Sequence, residues 1–179
     1  MSAVHSRTGW RVAFYSAGGA VWRQTPQALR SRLVRWVQPA YSIGVLGLVP
    51  DASGRVLLLR HRFRVPYCWG LPGGFIELNE TPHEAFCREL LEEVGLTVLA
   101  EPGLLLTELN HLTRSFTYVL KAKPIVDNPR TLNPAEILDW CWVGDGEPLP
   151  SGIHPTHSRL LARYWGGALD HDNDCWVVR

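Results

Sequence analysis

Three glutamates carry the first chemical signal in this chain. Glu89, Glu92 and Glu93 stand at i, i+3 and i+4, which on a helix turning about 100° per residue confines them to an arc of about 100°. Like charges crowded on one arc repel each other and oppose the helix. A divalent cation held by oxygen ligands is the simplest group that would reverse that cost. The alternative is a solvated surface helix laced by ion pairs, the ordinary reading of an acidic run.

The elements that must position these carboxylates are legible around them. Thr81 is suited to an N-cap, Pro82 to the first helical position, and Glu84 completes a Thr-x-x-Glu capping box. Gly95 fits the left-handed residue that closes a helix. Phe86, Leu90 and Val94 form an apolar stripe beside the acidic arc, and Arg88 can reach Glu92 one turn away. The helix thus needs no metal to exist, but its acidic face needs a partner.

The stretch Gly73 to Leu96 reads GGFIELNETPHEAFCRELLEEVGL. Gly74, Glu80, Arg88, Glu89, Leu90, Glu92, Glu93, Gly95 and Leu96 resemble the Nudix box at every fixed position: G, five residues, E, seven residues, then R-E-U-x-E-E-x-G-U with U aliphatic. A match of this length and fixed spacing is far more specific than a lone glycine motif. Trp69-Gly70-Leu71-Pro72 also resembles the segment that precedes the box in this family. The resemblance implies an α/β fold in which a mixed β-sheet is sandwiched between α-helices. It implies metal ligation by Glu89, Glu92, Glu93 and the backbone carbonyl of Gly73, with Arg88 orienting the acidic face and Glu80 supporting the loop. Asn79 stands where many relatives carry glycine, and asparagine tolerates the same left-handed turn.

Composition bounds the alternatives. The chain has 179 residues, a net charge of +1 and an ordinary apolar share, which suits a globular domain and argues against a protein that coats nucleic acid. No apolar run approaches the roughly 20 residues of a membrane span. Cys68, Cys87, Cys141 and Cys175 are scattered, without a zinc or disulfide pattern, and a cytoplasmic setting is expected. Before Asp51 there is no acidic residue, whereas Arg7, Arg11, Arg23, Arg30, Arg32 and Arg35 are basic. Residues 1–38 therefore read as a basic extension: a strand or arm over Val12 to Val21, then an amphipathic helix opened by Thr25-Pro26 and ended before Pro39. The Nudix domain is expected over 39–179. The extension could complete a homodimer or cover a pocket.

Tyr41 to Val49 and Arg55 to Arg60 read as strands joined by the turn Asp51-Ala-Ser-Gly54 into a hairpin. Arg60, Arg62 and Arg64 then cluster just before the box, either as a solubilising loop or as a clamp on substrate phosphates, since arginine binds phosphate as a fork. Thr97 to Leu99, Leu104 to Leu109 and Ser115 to Ala122 read as strands, with Phe116, Tyr118 and Leu120 on one half-buried face. Pro124 to Pro134 is a turn-rich connection. Glu136 to Val143 resembles the downstream glutamate and tryptophan strand of many Nudix domains, which makes Glu136 a further ligand or general base. Trp140 and Trp142 share a strand face, for core packing or, at Trp142, for stacking on a base. His154 and His157 have the spacing of a metal pair but lie about a proline, and a closing helix is expected from His157. Asp170 to Asp174 reads as an acidic turn.

The expected activity is Mg2+-dependent hydrolysis, with Mn2+ as a substitute, of a diphosphate bond in a small molecule made of a nucleoside diphosphate linked to another group. Glu89 and Glu136 are the candidates for general base, alongside Arg88 at the catalytic face. A Nudix-fold binding or sensor domain without turnover, and a hydrolase of non-nucleotide diphosphates, are the alternatives. The region from Leu109 to Thr113 lacks the proline or tyrosine associated with specialised Nudix subfamilies, so no substrate is selected.

Overall fold

A computed structural model describes residues 19, 21–38, 40–102, 106–110, 112–125, 129, 133–169 and 174–178. The strand or arm expected over Val12 to Val21 lies outside these residues in all but its end, as do most of the acidic turn over 170–174 and parts of the 124–134 connection. The chain divides into two compact units, Met1–Ala40 and Tyr41–Arg179.

In the first unit, α1 spans Gln27–Val37. Thr25 does not cap it. Pro26 takes the N-cap position, and Thr25 Oγ1 donates instead to Val21 O at 2.8 Å, closing the preceding turn over 21–24. Because proline has no N–H, the first donor that needs a partner falls deeper in the helix.

The second unit holds eight strands and two helices among the described residues. The strands are β1 (Ser42–Leu48), β2 (Val56–His61), β3 (Trp69–Gly70), β4 (Val98–Ala100), β5 (Leu106–Asn110), β6 (Ser115–Pro124), β7 (Ile137–Val143) and β8 (Asp174–Val178). The helices are α2 (Pro82–Val94) and α3 (Pro155–Trp165). One mixed sheet runs β1-β6-β5-β8, with β4 also pairing with β6; β1 and β6 are parallel. A second, antiparallel sheet runs β3-β2-β7.

The expected hairpin is therefore not formed. β1 and β2 meet only around their turn, through the bridge between Pro50 and Val56 and the bond from Leu57 N to Val49 O, and then enter different sheets. Val56 to Leu59 are all fully buried. A strand covered on both faces belongs inside a sheet, and β3 and β7 flank β2 there.

Alternation along β2 divides the core. Leu57 and Leu59 join Phe86, Leu90 and Val94 of α2, whereas Val56 and Leu58 join Leu160 and Leu161 of α3. Strands thus lie between two helices, in an α/β sandwich. Gly47 seats α2 directly on β1, because a Cβ at that position would overlap the Phe86 ring. No described helix is long and apolar enough to cross a membrane.

Candidate functional site

α2 starts and stops on the residues that favour those ends. Thr81 Oγ1 accepts from Glu84 N at 3.3 Å, and Glu84 Oε2 accepts from Thr81 N at 2.9 Å. Gly95 takes the left-handed conformation, with φ 64° and ψ 24°. These ends fix the rotation of the helix, and Phe86, Leu90 and Val94 bury its apolar stripe. The acidic arc must then face the glycine loop before the helix.

That loop runs along the free edge of β1. Gly47 N donates to Pro72 O, Val45 N to Gly74 O at 2.8 Å, and Ile76 N to Ile43 O. Gly73 has φ 137°, and a Cβ there would run into Val45 O, so the position admits only glycine without strain. Its N–H donates to Glu93 Oε2 at 3.2 Å. The Glu89 carboxylate lies over Gly74, where any Cβ would overlap it. Asn79 adopts φ 67° in the loop, the left-handed turn expected of it. Gly73→Ala is expected to cost about 1–3 kcal/mol through forced backbone strain, read as a lower denaturant midpoint.

Arg88 ties loop to helix. Its Nε and Nη2 fork onto Glu80 at 2.8 and 3.0 Å, Nη2 also reaches Phe75 O at 3.0 Å, and Nη1 bonds Glu89 Oε1 at 3.0 Å and Glu92 Oε2 at 3.3 Å. Glu80 also accepts from Glu77 N at 3.0 Å. One guanidinium therefore sets the loop and aims Glu89.

Burial raises the pKa of the two inner carboxylates. Glu93 is only 4% exposed, and loss of solvent pushes its carboxyl up to about 8, against the smaller opposing pulls of the Gly73 N–H and Arg64. Glu89 is raised by the same cause, and the Glu136 charge raises both further. Glu136 itself lies in an exposed turn, held where Arg62 N donates to its carbonyl at 2.7 Å and the Arg62 guanidinium forks onto Pro134 O at 3.2 and 2.8 Å. His61 Nδ1 is 3.9 Å from Glu93 Oε1. The pair is not ionic at neutral pH, because burial and the Arg64 charge push His61 down to about 3.

One buried and one half-buried carboxylate, each in surroundings that disfavour its charge, suit a hard divalent cation. No three His, Cys, Asp or Glu side chains among the described residues converge as a closed ligand set. Glu92 is the most exposed of the three and is engaged by Arg88. The side-chain donors here are all oxygen, the ligand type that hard divalent cations prefer.

A cavity of about 570 Å3 opens beside the glycine loop, with Gly73, Gly74 and Phe75 on its rim. Its floor is one face of the β1/β6 ladder, where Ser42 faces Ser115 and Gly44 faces Thr117. Phe63 and Tyr67 stand on the loop between β2 and β3. Arg64, His154 and His157 bring polar groups to the cavity. His154 caps α3 by accepting from Thr156 N at 3.3 Å, so the helix begins before the expected His157. His157 Nδ1 accepts from Leu71 N at 2.9 Å, and burial together with Arg64 keeps its imidazole neutral.

Of the residues singled out from the sequence, Gly73, Glu89 and Glu93 are brought together, with Arg88 behind them and Glu136 near enough to act on their charge. Arg64 lies between this group and the cavity, its Nη2 3.4 Å from Gly73 O. Arg62 is spent on Pro134 O, and Arg60 lies in β2 opposite Asp139 and Trp69. Trp142 and Trp140 pack against the first core and are not among the residues lining the cavity. Apart from the glycine strip, Arg64 and the His154 and His157 pair, the cavity residues carried no motif. The Ser115 and Thr117 side of β6 reads only as the solvent face of an alternating strand, and His61, outside the cavity but beside Glu93, carried no signal.

Residues 40–164 match the family model of the NUDIX domain. The chain is 34% identical over 103 residues to a MutT-like protein of Streptomyces ambofaciens, a match covering 57% of this chain and 64% of that one. It is 38% identical over 61 residues to an ADP-ribose pyrophosphatase of Methanocaldococcus jannaschii, covering 34% and 35% respectively. The chain thus spans less than two thirds of the length of either curated relative. A solved NUDIX hydrolase from Nitrosomonas europaea shares the fold with TM-score 0.63 at 22% identity, covering 79% of this chain and 81% of that one. With the family's match spanning most of the chain, and the box folded into the loop and helix just described, this protein belongs to the Nudix family.

Proposed function

We infer that the chain is a metal-dependent pyrophosphohydrolase whose substrate is a nucleoside diphosphate linked to another group. The observation that carries this reading is the shared strip Gly73–Gly74, which touches the Glu89 and Glu93 carboxylates on one side and lines the cavity on the other. A diphosphate seated there would reach both. Glu89, Glu92, Glu93 and the Gly73 carbonyl would hold the divalent cation, Mg2+ by the hardness of the donors, with Mn2+ as a substitute. When bound, the cation offsets phosphate charge and lowers the pKa of a bound water.

The chain's own groups supply the rest. Arg88 holds Glu89 by its Oε1, with the carboxylate lying over the glycine strip. Water adds to one phosphorus as the bridging P–O bond breaks, and its proton passes to a carboxylate, Glu89 or Glu136. The phosphate contacts proposed for Arg60, Arg62 and Arg64 narrow to Arg64, the one of the three that lines the cavity. Stacking of a base is better supplied by Phe63, 77% exposed, and Phe75, 66% exposed, than by Trp142. The volume suits a ligand of nucleotide size. The relative named as an ADP-ribose pyrophosphatase supports the same class.

A product screen across nucleotide sugars, dinucleotides, nucleoside triphosphates and non-nucleotide diphosphates, with and without Mg2+, tests the reading. Nucleotide derivatives are expected to be cleaved only with metal. Turnover confined to non-nucleotide diphosphates, or binding without turnover, would overturn it.

A further inference from the structure

One side chain is shared by the carboxylate group and the cavity. Arg64 is half-buried after β2, and its one hydrogen bond among the described residues runs to Gly73 O, at 3.4 Å. The charges of Glu93 and Glu89 favour it where it lies, and burial works against it. Its Nη1 packs close to the bare backbone of Gly70, where the His157 imidazole closes in as well. Arg88, the other guanidinium of the site, is fully committed to Glu80, Glu89, Glu92 and Phe75 O. Arg64 has donors to spare, and the open direction from it is the cavity it lines.

The Gly73 carbonyl that Arg64 touches is also the backbone oxygen assigned to the cation. A guanidinium and a divalent ion cannot share that oxygen and the neighbouring carboxylates without repelling each other. We propose that Arg64 and the cation compete for the Gly73 carbonyl, and that the cation displaces Arg64 into the cavity, where its fork takes the oxygens of the substrate diphosphate. This inference rests on the functional reading above. It makes cation and diphosphate binding mutually dependent through one residue. The cation drives Arg64 off Gly73 O, and the diphosphate gives it a place to go, so each ligand tightens the other by the same factor.

The test is Mn2+ affinity of the full chain, from the free-ion signal in electron paramagnetic resonance, with and without methylenediphosphonate and corrected for chelation by that anion alone. Without the anion, Arg64→Gln is expected to bind Mn2+ on the order of tenfold more tightly than wild type, the size of a single-charge repulsion at a few ångströms in a wet site. The tightening that the anion confers on wild type is expected to shrink by about fivefold or more in the variant. Arg64→Lys keeps the charge and is expected to stay within about twofold of wild type. In the unmodified protein, the Arg64 Nε–H resonance is expected to shift as Mg2+ is added, a readout independent of any variant's folding. Unchanged or weaker Mn2+ binding by a folded Arg64→Gln chain, Arg64→Lys as tight as Arg64→Gln, or an Arg64 resonance unmoved by saturating Mg2+ would each overturn the proposal. A wild-type chain that binds no Mn2+ would remove the metal-dependent reading, and this inference with it.

Discussion

Replacing Glu93 by glutamine is expected to abolish turnover and, in the same protein, to raise the melting temperature of the metal-free chain at pH 8. The first effect follows from the loss of an anionic ligand in the proposed site, with a fall in kcat of roughly 10³-fold or more when a preorganised charge is removed. The second follows from burial. The Glu93 carboxyl is pushed from an ordinary 4.5 up to about 8 in the fold, so the native state holds a proton that the unfolded chain releases. The stability gained by keeping it neutral is fully present below about pH 4.5 and is lost as the pH rises through about 8, by up to roughly 1.4 kcal/mol per pH unit in that window. Glutamine carries no such charge and can still accept from Gly73 N. Melting curves from pH 4 to pH 8.5 without metal should coincide at the acid end and separate above pH 5, with the variant higher by roughly 4 °C or more at pH 8. Mg2+ should raise the wild-type curve and leave the variant's nearly unmoved. A variant that melts below wild type at pH 8 would show that Glu93 is not held against its charge.

Arg88→Met is expected to fail in the opposite way, losing both stability and activity at every pH. Its guanidinium makes the fork to Glu80, the bond to Phe75 O, and the contacts to Glu89 and Glu92. With it gone, a loop and two carboxylates lose their common anchor in a site where Glu80 and Glu89 are largely covered. A cost of about 1–3 kcal/mol is expected for the unpaired groups. Misplacement of Glu89 by even an ångström should lower kcat roughly 10²-fold. Arg88→Lys keeps the charge but cannot fork, and should lie between the two. Equal kcat in Arg88→Met and wild type would remove Arg88 from the positioning role.

What the sequence made legible follows a physical rule. Features fixed within a few residues of chain could be read: the Thr81 and Glu84 box, the left-handed Gly95 and Asn79, and the arc of glutamates. Features fixed by pairing across the chain could not. The Asp51 to Gly54 turn suggested a hairpin, but the burial of Val56 to Leu59 on both faces drew β2 into a different sheet. Arg60, Arg62 and Arg64 look equivalent in sequence, yet only the fold shows that Arg62 is consumed by Pro134 O while Arg64 meets Gly73. Thr25 was misread because the turn before it competes for its hydroxyl. Apart from the glycine strip, Arg64 and the two histidines, the cavity left no local mark, since its other residues come from β1, the loop after β2 and β6.

That scattered origin has an evolutionary side. On β6, Ser115 and Thr117 face the cavity, while Tyr118 and Leu120 belong to the first core. Alternation therefore separates two kinds of information on adjacent residues of a single strand. Mutations at 115 and 117, with 42 on the parallel neighbour, can drift toward new ligands without disturbing the packing beneath or the proposed ligand carboxylates on α2. Gly44, by contrast, is held by the glycine loop, because a Cβ there would come within 3.0 Å of Gly74 O. A library randomised at 42, 115 and 117 would sample substrate preference on a scaffold left intact.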